Sequence, residues 1–326
     1  MPRARTFVCR EIARQALDVI ALQTDMEVWP GELPPPPDVV SEKARTADGL
    51  LTLLTDKVDA SVFSGAPKLR IVSNMAVGYD NIDVPEATRR GILVGITPGV
   101  LTETSADFAF ALMVSAARRV VEADRWTRAG RWKTWGPLVL LGQDVHHATL
   151  GIVGLGRIGA EIAKRAAGFD MKVLYYNRTR RPDLEATLGA EYSDLPGLLA
   201  RSDFITVHVP LTSETRHMIG AKEFSLMKPT AVFVNTSRGG IVDQQALYAA
   251  LRDRKIFAAG IDVTEVEPIL QDDPLLMLDN LVIAPHIASA SVPTRTKMAI
   301  MAAENLLAGL RGEIPPHCVN PEALRR

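Results

Sequence analysis

The chain has 326 residues, 47% hydrophobic and 23% charged, with a formal net charge of −1; this is the make-up of an ordinary soluble globular protein, long enough for two domains with separate cores. That balance gives no electrostatic case for a nucleic-acid partner or an anionic membrane, and no apolar run reaches the ~18 residues of a membrane span. Cys9 and Cys318 lie at opposite ends without metal-ligand spacing, which argues against a disulfide framework or a metal site and suits a reducing, cytoplasmic compartment.

In chain order, the basic start MPRARTFVCREIARQAL has no long apolar h-region or small-residue cleavage site and reads as a first strand and helix, not a signal peptide. Residues 6–9 predict a strand, 12–21 a helix and 26–29 a second strand, ahead of a proline-rich loop at 34–37. Segments 49–54, 58–64, 70–73, 84–90 and 92–95 continue the alternation of strand and helix, a compact α/β unit. After Thr97-Pro98-Gly99 comes one long helical stretch, 103 to about 128, with Phe108, Ala111, Leu112, Ser115 and Ala116 spaced for one buried face. Residues 131–147 have little periodicity, hold Trp132, Trp135, Gly136 and Pro137, and read as a surface loop.

Residues 148–181 carry the most specific local signal. A short apolar run leads into Gly154-Leu155-Gly156-Arg157-Ile158-Gly159, then an amphipathic segment, then a second apolar run, the strand, turn, helix, strand context that a dinucleotide fingerprint requires. Gly154 allows the tight turn, Gly156 lets the backbone approach a pyrophosphate, and Gly159 lets the helix pack closely on the strand. The anion then sits on free N–H groups at the helix start. The second strand, 172–176, runs into Asn177-Arg178-Thr179-Arg180-Arg181. An NAD enzyme usually places Asp or Glu here for the ribose 2′-hydroxyl; neutral Asn177 followed by guanidinium donors suits a 2′-phosphate instead. The expected cofactor is NADP(H), with NAD(H) as the alternative. Further strands at 204–209, 231–235, 258–263 and 281–283 alternate with helices at 198–200, 221–226 and 244–252, the last capped by Asp243. Such alternation implies mainly parallel, doubly wound sheets. A final helix, 292–310, is expected to return to the first domain and make it discontinuous.

Six ordered landmarks carry a family resemblance: Val77-Gly78-Tyr79-Asp80-Asn81-Ile82-Asp83, the glycine fingerprint, Asn235-Thr236-Ser237-Arg238-Gly239-Gly240, Gly260-Ile261-Asp262-Val263, Glu265-Val266-Glu267-Pro268 and Pro285-His286-Ile287-Ala288-Ser289-Ala290. Along almost its whole length the chain resembles the D-isomer-specific 2-hydroxyacid dehydrogenases, and among them the glyoxylate/hydroxypyruvate reductase branch. The resemblance implies a Rossmann cofactor domain, 99–287, inserted in a discontinuous flavodoxin-like substrate domain, 1–98 and 288–326, with the chemistry in the cleft between domains. It implies Arg238, Glu267 and His286 as the catalytic set. The Val77–Gly78 backbone cradles the substrate carboxylate, and Leu53 and Trp135 belong to the substrate pocket. Val209, Pro210, Thr236, Ser237 and Ala288 join the fingerprint in binding the cofactor, and Asp262 contacts the nicotinamide carboxamide. Two departures are local: Ala288 stands where glycine is common, and His146-His147-Ala148 replaces a more usual Gly-Lys-Thr. The resemblance also implies a homodimer joined through the cofactor domains, with Trp135, or alternatively Trp132, reaching the neighbouring subunit's substrate site.

The residue types suit the implied chemistry. Reducing a 2-oxo acid moves a hydride to the carbonyl carbon while a proton reaches the carbonyl oxygen, and histidine is the natural acid near neutrality. A carboxylate at the other ring nitrogen favours imidazolium and fixes its orientation. Glu265 and Glu267 compete for that role; Glu267 is chosen because it directly precedes the proline, as the family's glutamate does. Arg238 binds the substrate carboxylate and polarises the carbonyl with a fork that lysine lacks. The other histidines, 146, 147, 208, 217 and 317, read as structural or solvent-facing, and Tyr79, Asp80 and Asp83 as turn and cap residues. The expected activity is NADPH-dependent reduction of glyoxylate or hydroxypyruvate to glycolate or D-glycerate. Its rivals are reductases of other 2-oxo acids, phosphite-type dehydrogenases and a non-enzymatic, NAD(P)-sensing corepressor-like protein; the lack of long tails or partner-binding extensions favours an enzyme.

Overall fold

The computed structural model describes residues 3–325, in two units: one runs up to Leu101 and resumes at Ala290, the other is Thr102–Ser289. The junctions fall after Leu101 and Ser289 rather than after residues 98 and 287.

The discontinuous unit contains β1 (Ala4–Val8), α1 (Arg14–Gln23), β2 (Thr24–Val28), α2 (Pro37–Ala44), β3 (Gly49–Thr52), α3 (Ala60–Ser64), β4 (Ile71–Asn74), α4 (Val84–Arg89) and β5 (Leu93–Gly95). The strands lie parallel in the order β2-β1-β3-β4-β5, the flavodoxin-like order. A parallel sheet is covered on both faces and its strands read as apolar runs; Leu50, Leu51, Ile71, Val72, Leu93 and Val94 are all buried. Val40, Val62, Phe63 and Ala87 of α2–α4 cover one face. Ala16 and Ile20 of α1 cover the other, together with Met298, Ala302 and Leu306 of the last helix, Val292–Leu310. A Cβ on Gly309 of that helix would stand 2.8 Å from Ile71 Cβ, so its bare backbone permits close packing on β4. Asp83 caps α4, its Oδ1 accepting from Glu86 N at 3.0 Å, as the sequence suggested.

The continuous unit opens with α5 (Thr102–Ala117) and α6 (Val120–Arg128). One helix was expected here, but Arg119 takes the left-handed conformation, φ +55°, and turns the chain. The buried face of α5 also differs from the expected one. Ala106, Ala109, Phe110, Leu112, Met113, Ala116 and Ala117 are buried while Ala111 is exposed, because α5 packs against both the sheet and a neighbouring helix. There follow β6 (Thr149–Val153), α7 (Arg157–Ala167), β7 (Lys172–Tyr176), α8 (Pro182–Leu188), β8 (Glu191–Tyr192), α9 (Leu195–Arg201), β9 (Phe204–Val207), α10 (Ala221–Leu226), β10 (Val232–Asn235), α11 (Gln244–Arg252), β11 (Ala258–Ile261) and β12 (Leu281–Ile283). All pairings are parallel in the order β12-β11-β10-β9-β6-β7-β8. Strand order reverses beside β6, at the switch point where such sheets bind ligands beyond the strands' carboxyl ends. Asp243 caps α11 by accepting from Ala246 N at 3.0 Å. Residues 131–147 form neither helix nor strand. No helix among the described residues is long and apolar enough to cross a membrane.

Candidate active site

Two of the three fingerprint glycines meet a steric demand within the chain, and the third leaves space. Gly154 has φ +105°, and a Cβ there would lie 2.8 Å from the His208 carbonyl carbon. At Gly159 a Cβ would lie 2.3 Å from Gly154 O, so α7 could not approach the turn. Around Gly156 nothing stands within 4 Å of a Cβ, which leaves an open approach to the N-terminus of α7, where Leu155, Arg157 and Ile158 flank the turn. Those free N–H groups and that space fit a dinucleotide pyrophosphate. Thr236 Oγ1, just past β10, is buried and has no hydrogen-bond partner among the described residues, which is consistent with a polar ligand beside it. Val209 and Pro210 follow β9, where His208 N donates to Val153 O at 2.8 Å. Ser237 is anchored by its Oγ donating to Asn235 Oδ1 at 2.8 Å.

At the end of β7 the basic run separates into distinct tasks. Asn177 Oδ1 accepts from Leu155 N at 2.7 Å, so the side chain pins the fingerprint turn and turns its amide nitrogen to the task of donating to a ligand. Arg180 is bidentate to Glu185, at 2.7 Å through both Nε and Nη2, and stacks over Tyr192. Arg181 pairs with Asp183 at 2.6 Å. Arg178 and Thr179 are exposed, and Arg178 forms no ion pair among the described residues. Of these three guanidinium groups only Arg178 makes no direct ion pair, its charge acting at longer range on Glu214.

Strands β10, β11 and β12 lie side by side, and each ends in a loop that carries one of the expected catalytic residues. Arg238 follows β10, with its carbonyl oxygen accepting from Asn235 Nδ2 at 2.9 Å and its Nη1 donating to Ser237 O at 2.9 Å. Next to it, Gly239 packs on the loop after β11: a Cβ would stand 2.0 Å from the Thr264 carbonyl carbon, so no larger residue fits. Glu267 Oε2 lies 2.7 Å from His286 Nδ1, and Oε1 accepts from Thr264 N at 3.2 Å. Both side chains keep solvent access, at 24% for His286 and 30% for Glu267. With Nδ1 engaged, Nε2 is the ring nitrogen left for a substrate. Glu265, the other candidate, pairs instead with His217 at 2.5 Å.

His286 itself has φ +57°, in the left-handed region that a side chain with a β-carbon rarely adopts. Asp262 holds it there. The Asp262 carbonyl oxygen accepts from His286 N at 2.9 Å, and the two carboxylate oxygens accept from Ile287 N and Ala288 N at 2.7 Å each. Asp262 is 1% exposed, and burial pushes its carboxyl above the usual range against the pull of those two N–H groups. The sequence reading gave Asp262 a contact with the nicotinamide carboxamide and missed this clamp. The available signal was an aspartate directly after an all-apolar strand.

In the discontinuous unit, Leu53 follows β3 and donates its N–H to Asp56 Oδ2 at 2.7 Å, while Val77 and Gly78 lie in the turn after β4. Trp135, 80% exposed, and Trp132, 63% exposed, lie on the 131–147 loop of the other unit.

Residues 110–288 match the family model described as D-isomer specific 2-hydroxyacid dehydrogenase, NAD binding domain. A glyoxylate reductase of Korarchaeum cryptofilum is 58% identical over 324 residues, covering 99% of this chain and 98% of its own length. The crystal structure of a Thermus thermophilus protein matches with a TM-score of 0.92 and 43% identity, over 97% of this chain and 99% of that one. An NADPH-dependent glyoxylate/hydroxypyruvate reductase from Sinorhizobium meliloti, solved in complex with NADP and malonate, matches with a TM-score of 0.85 and 34% identity over 99% of both chains. The same parallel sheets and nearly full-length coverage join these proteins to this one, and the chain belongs to the D-isomer-specific 2-hydroxyacid dehydrogenase family.

Proposed function

We propose that this protein reduces glyoxylate and hydroxypyruvate to glycolate and D-glycerate, with NADPH as the preferred hydride donor. The observation that carries the reading is the Glu267–His286 pair, 2.7 Å apart, in the loops after β11 and β12, which lie in that order beyond β10, the strand that presents Arg238. The names of the glyoxylate reductases that resemble the chain over nearly all its length support the substrate class.

Bound NADPH supplies the hydride, which adds to the carbonyl carbon of the 2-oxo acid. His286, through Nε2, gives the proton that the carbonyl oxygen takes up as the C=O bond becomes a hydroxyl. Glu267 accepts from Nδ1, which keeps the ring oriented with Nε2 toward the substrate. Arg238 binds the substrate carboxylate through its fork and draws electron density from the carbonyl. In the discontinuous unit, the backbone N–H groups of Val77 and Gly78 are the expected cradle for a substrate carboxylate, with Leu53 beside them. Arg178 is the guanidinium available to the 2′-phosphate, with Thr179 beside it. The working assembly is a homodimer joined through the cofactor domains, in which Trp135 lines the partner's pocket.

Initial rates with NADPH and NADH against glyoxylate, hydroxypyruvate, pyruvate and phenylpyruvate test the reading. Highest kcat/KM for glyoxylate or hydroxypyruvate with NADPH is the expected result. A preference for phenylpyruvate overturns the substrate, and no turnover of any of the four overturns the activity.

A further inference from the structure

Under the Val77–Gly78 turn lies a chain of side-chain amides that the catalytic reading leaves without a task. Asn74, the last residue of β4, is fully buried, as is Thr52 at the end of β3. Thr52 Oγ1 donates to Asn74 Oδ1 at 3.1 Å. Asn74 Nδ2 donates to Gly78 O at 3.1 Å and to Asn81 Oδ1 at 3.2 Å. Asn81 Nδ2 in turn donates to Leu53 O at 3.1 Å and to Asp56 O at 2.8 Å. Two amides thus tie the loop after β3 to the turn after β4. Both N–H groups of each amide are used within the network, and a buried amide that loses its partners is costly. The turn therefore has one well-satisfied position relative to Leu53, and any shift leaves several polar groups unpaired at once.

The orientation of the turn follows from the same bonds. Ala76 O accepts from Thr97 N at 2.8 Å. In a trans peptide the N–H points opposite to the C=O, so the Val77 N–H is aimed away from Thr97. Gly78 O is held by Asn74, which fixes the peptide on the other side of Gly78. Neither the Val77 nor the Gly78 N–H donates to another backbone group among the described residues. Two successive N–H groups held in this way make a concavity suited to an anionic oxygen.

We propose that Asn74 and Asn81 are positioning residues for the substrate carboxylate, which they serve by locking Leu53 and Val77–Gly78 into a single preformed cradle. The proposal rests on the reading that the Val77–Gly78 backbone binds that carboxylate. Neither asparagine touches substrate; each acts through the backbone it holds. A preformed cradle lowers the ordering cost of binding, so loss of either amide appears in the binding of the 2-oxo acid and not in that of NADPH.

The test uses the full chain with Asn74→Asp and Asn81→Asp. Each exchange keeps the shape but turns an amide donor into an acceptor that faces carbonyl oxygens. The KM for glyoxylate and the inhibition constant of oxalate are expected to rise together by about tenfold or more, while the KM for NADPH moves less than about threefold. Should Asn74→Asp fail to fold, Asn81→Asp, whose side chain is only half-buried, carries the test. A lower Tm with both Michaelis constants raised alike, or with neither raised, means a merely structural role and overturns the proposal. A crystal structure with NADP and oxalate separates the two levels of the argument. Oxalate away from the Val77 and Gly78 N–H groups overturns the reading beneath the proposal. Oxalate on them, with unchanged constants in both variants, overturns the role of the asparagines alone.

Discussion

The left-handed backbone at His286 carries a strain of roughly 1–2 kcal/mol for a residue with a β-carbon, and three hydrogen bonds to Asp262 offset it. Strain held this way fixes where the imidazole points. His286→Ala removes the proton donor and is expected to lower kcat by about 10²–10⁴-fold in the direction of reduction; a loss below about threefold would remove His286 from the mechanism. Asp262→Asn leaves the volume unchanged but sets an amide donor against Ile287 N or Ala288 N. It is expected to lower kcat by about ten- to a hundredfold, because a ring displaced by a fraction of an ångström transfers its proton poorly. Stability falls with it by about 1–3 kcal/mol, the scale of a buried donor left unpaired. Steady-state kinetics and thermal melts check both effects. An unchanged kcat with a raised KM for NADPH would mean that Asp262 serves the nicotinamide alone.

Two predictions belong to elements. The loop that follows β7 presents Arg178 without a direct ion pair among the described residues, its charge acting only at longer range on Glu214, while Arg180 and Arg181 are held by Glu185 and Asp183. Arg178→Ala is therefore expected to raise the KM for NADPH by about ten- to a hundredfold, the equivalent of a charge-assisted bond of roughly 1.5–3 kcal/mol, and that for NADH much less. Equal effects on both cofactors would count against it. The second concerns His208, just past β9, whose Nε2 bonds Thr206 Oγ1 at 2.7 Å. Burial pushes its pKa down from 6.5 to about 3. The unfolded chain thus binds a proton below pH 6.5 that the folded one refuses, so stability is lost as pH falls through that window and is unaffected above it. At pH 5 the loss is about 2 kcal/mol. His208→Gln is expected to flatten the decline in denaturation free energy between pH 7 and 5 by that amount; an unchanged slope would mean that another group governs it. What the sequence revealed of these elements had a local cause. The fingerprint was legible because Gly154 and Gly159 each answer a demand of the turn itself, while Gly156 keeps the approach to α7 open. The break at Arg119 was not, since nothing in an arginine signals a left-handed φ, and β8 is too short to show a period. Nor was the pairing of Arg180 with Glu185, which depends on where α8 sets its first turn.

At the scale of the whole molecule, sequence order was enough to read two parallel sheets, because β-α alternation leaves few right-handed arrangements. It was not enough to find the Asn74–Asn81 network, whose partners come from neighbouring strands and meet only in the fold. The 131–147 loop poses the remaining question of assembly. Trp132, Trp135, Leu138, Val139 and Leu141 are all exposed there, Trp135 and Leu138 to 80% each. Apolar bulk gathered in one loop marks an interaction surface more often than chance solvent exposure does. A second copy of the chain is the partner proposed above, with Trp135 lining its pocket. Trp135→Ala and Arg238→Ala are each expected to be impaired as homodimers. Co-expressed, they form mixed dimers with one site bearing both lesions and one bearing neither, provided that Trp135 acts across the interface, and activity then recovers above that of either parent. With Trp135 acting in its own subunit, every site keeps one lesion and mixing restores nothing. Size-exclusion chromatography with light scattering fixes the oligomeric state first; a monomer, or a mixed dimer no more active than its parents, overturns the assignment.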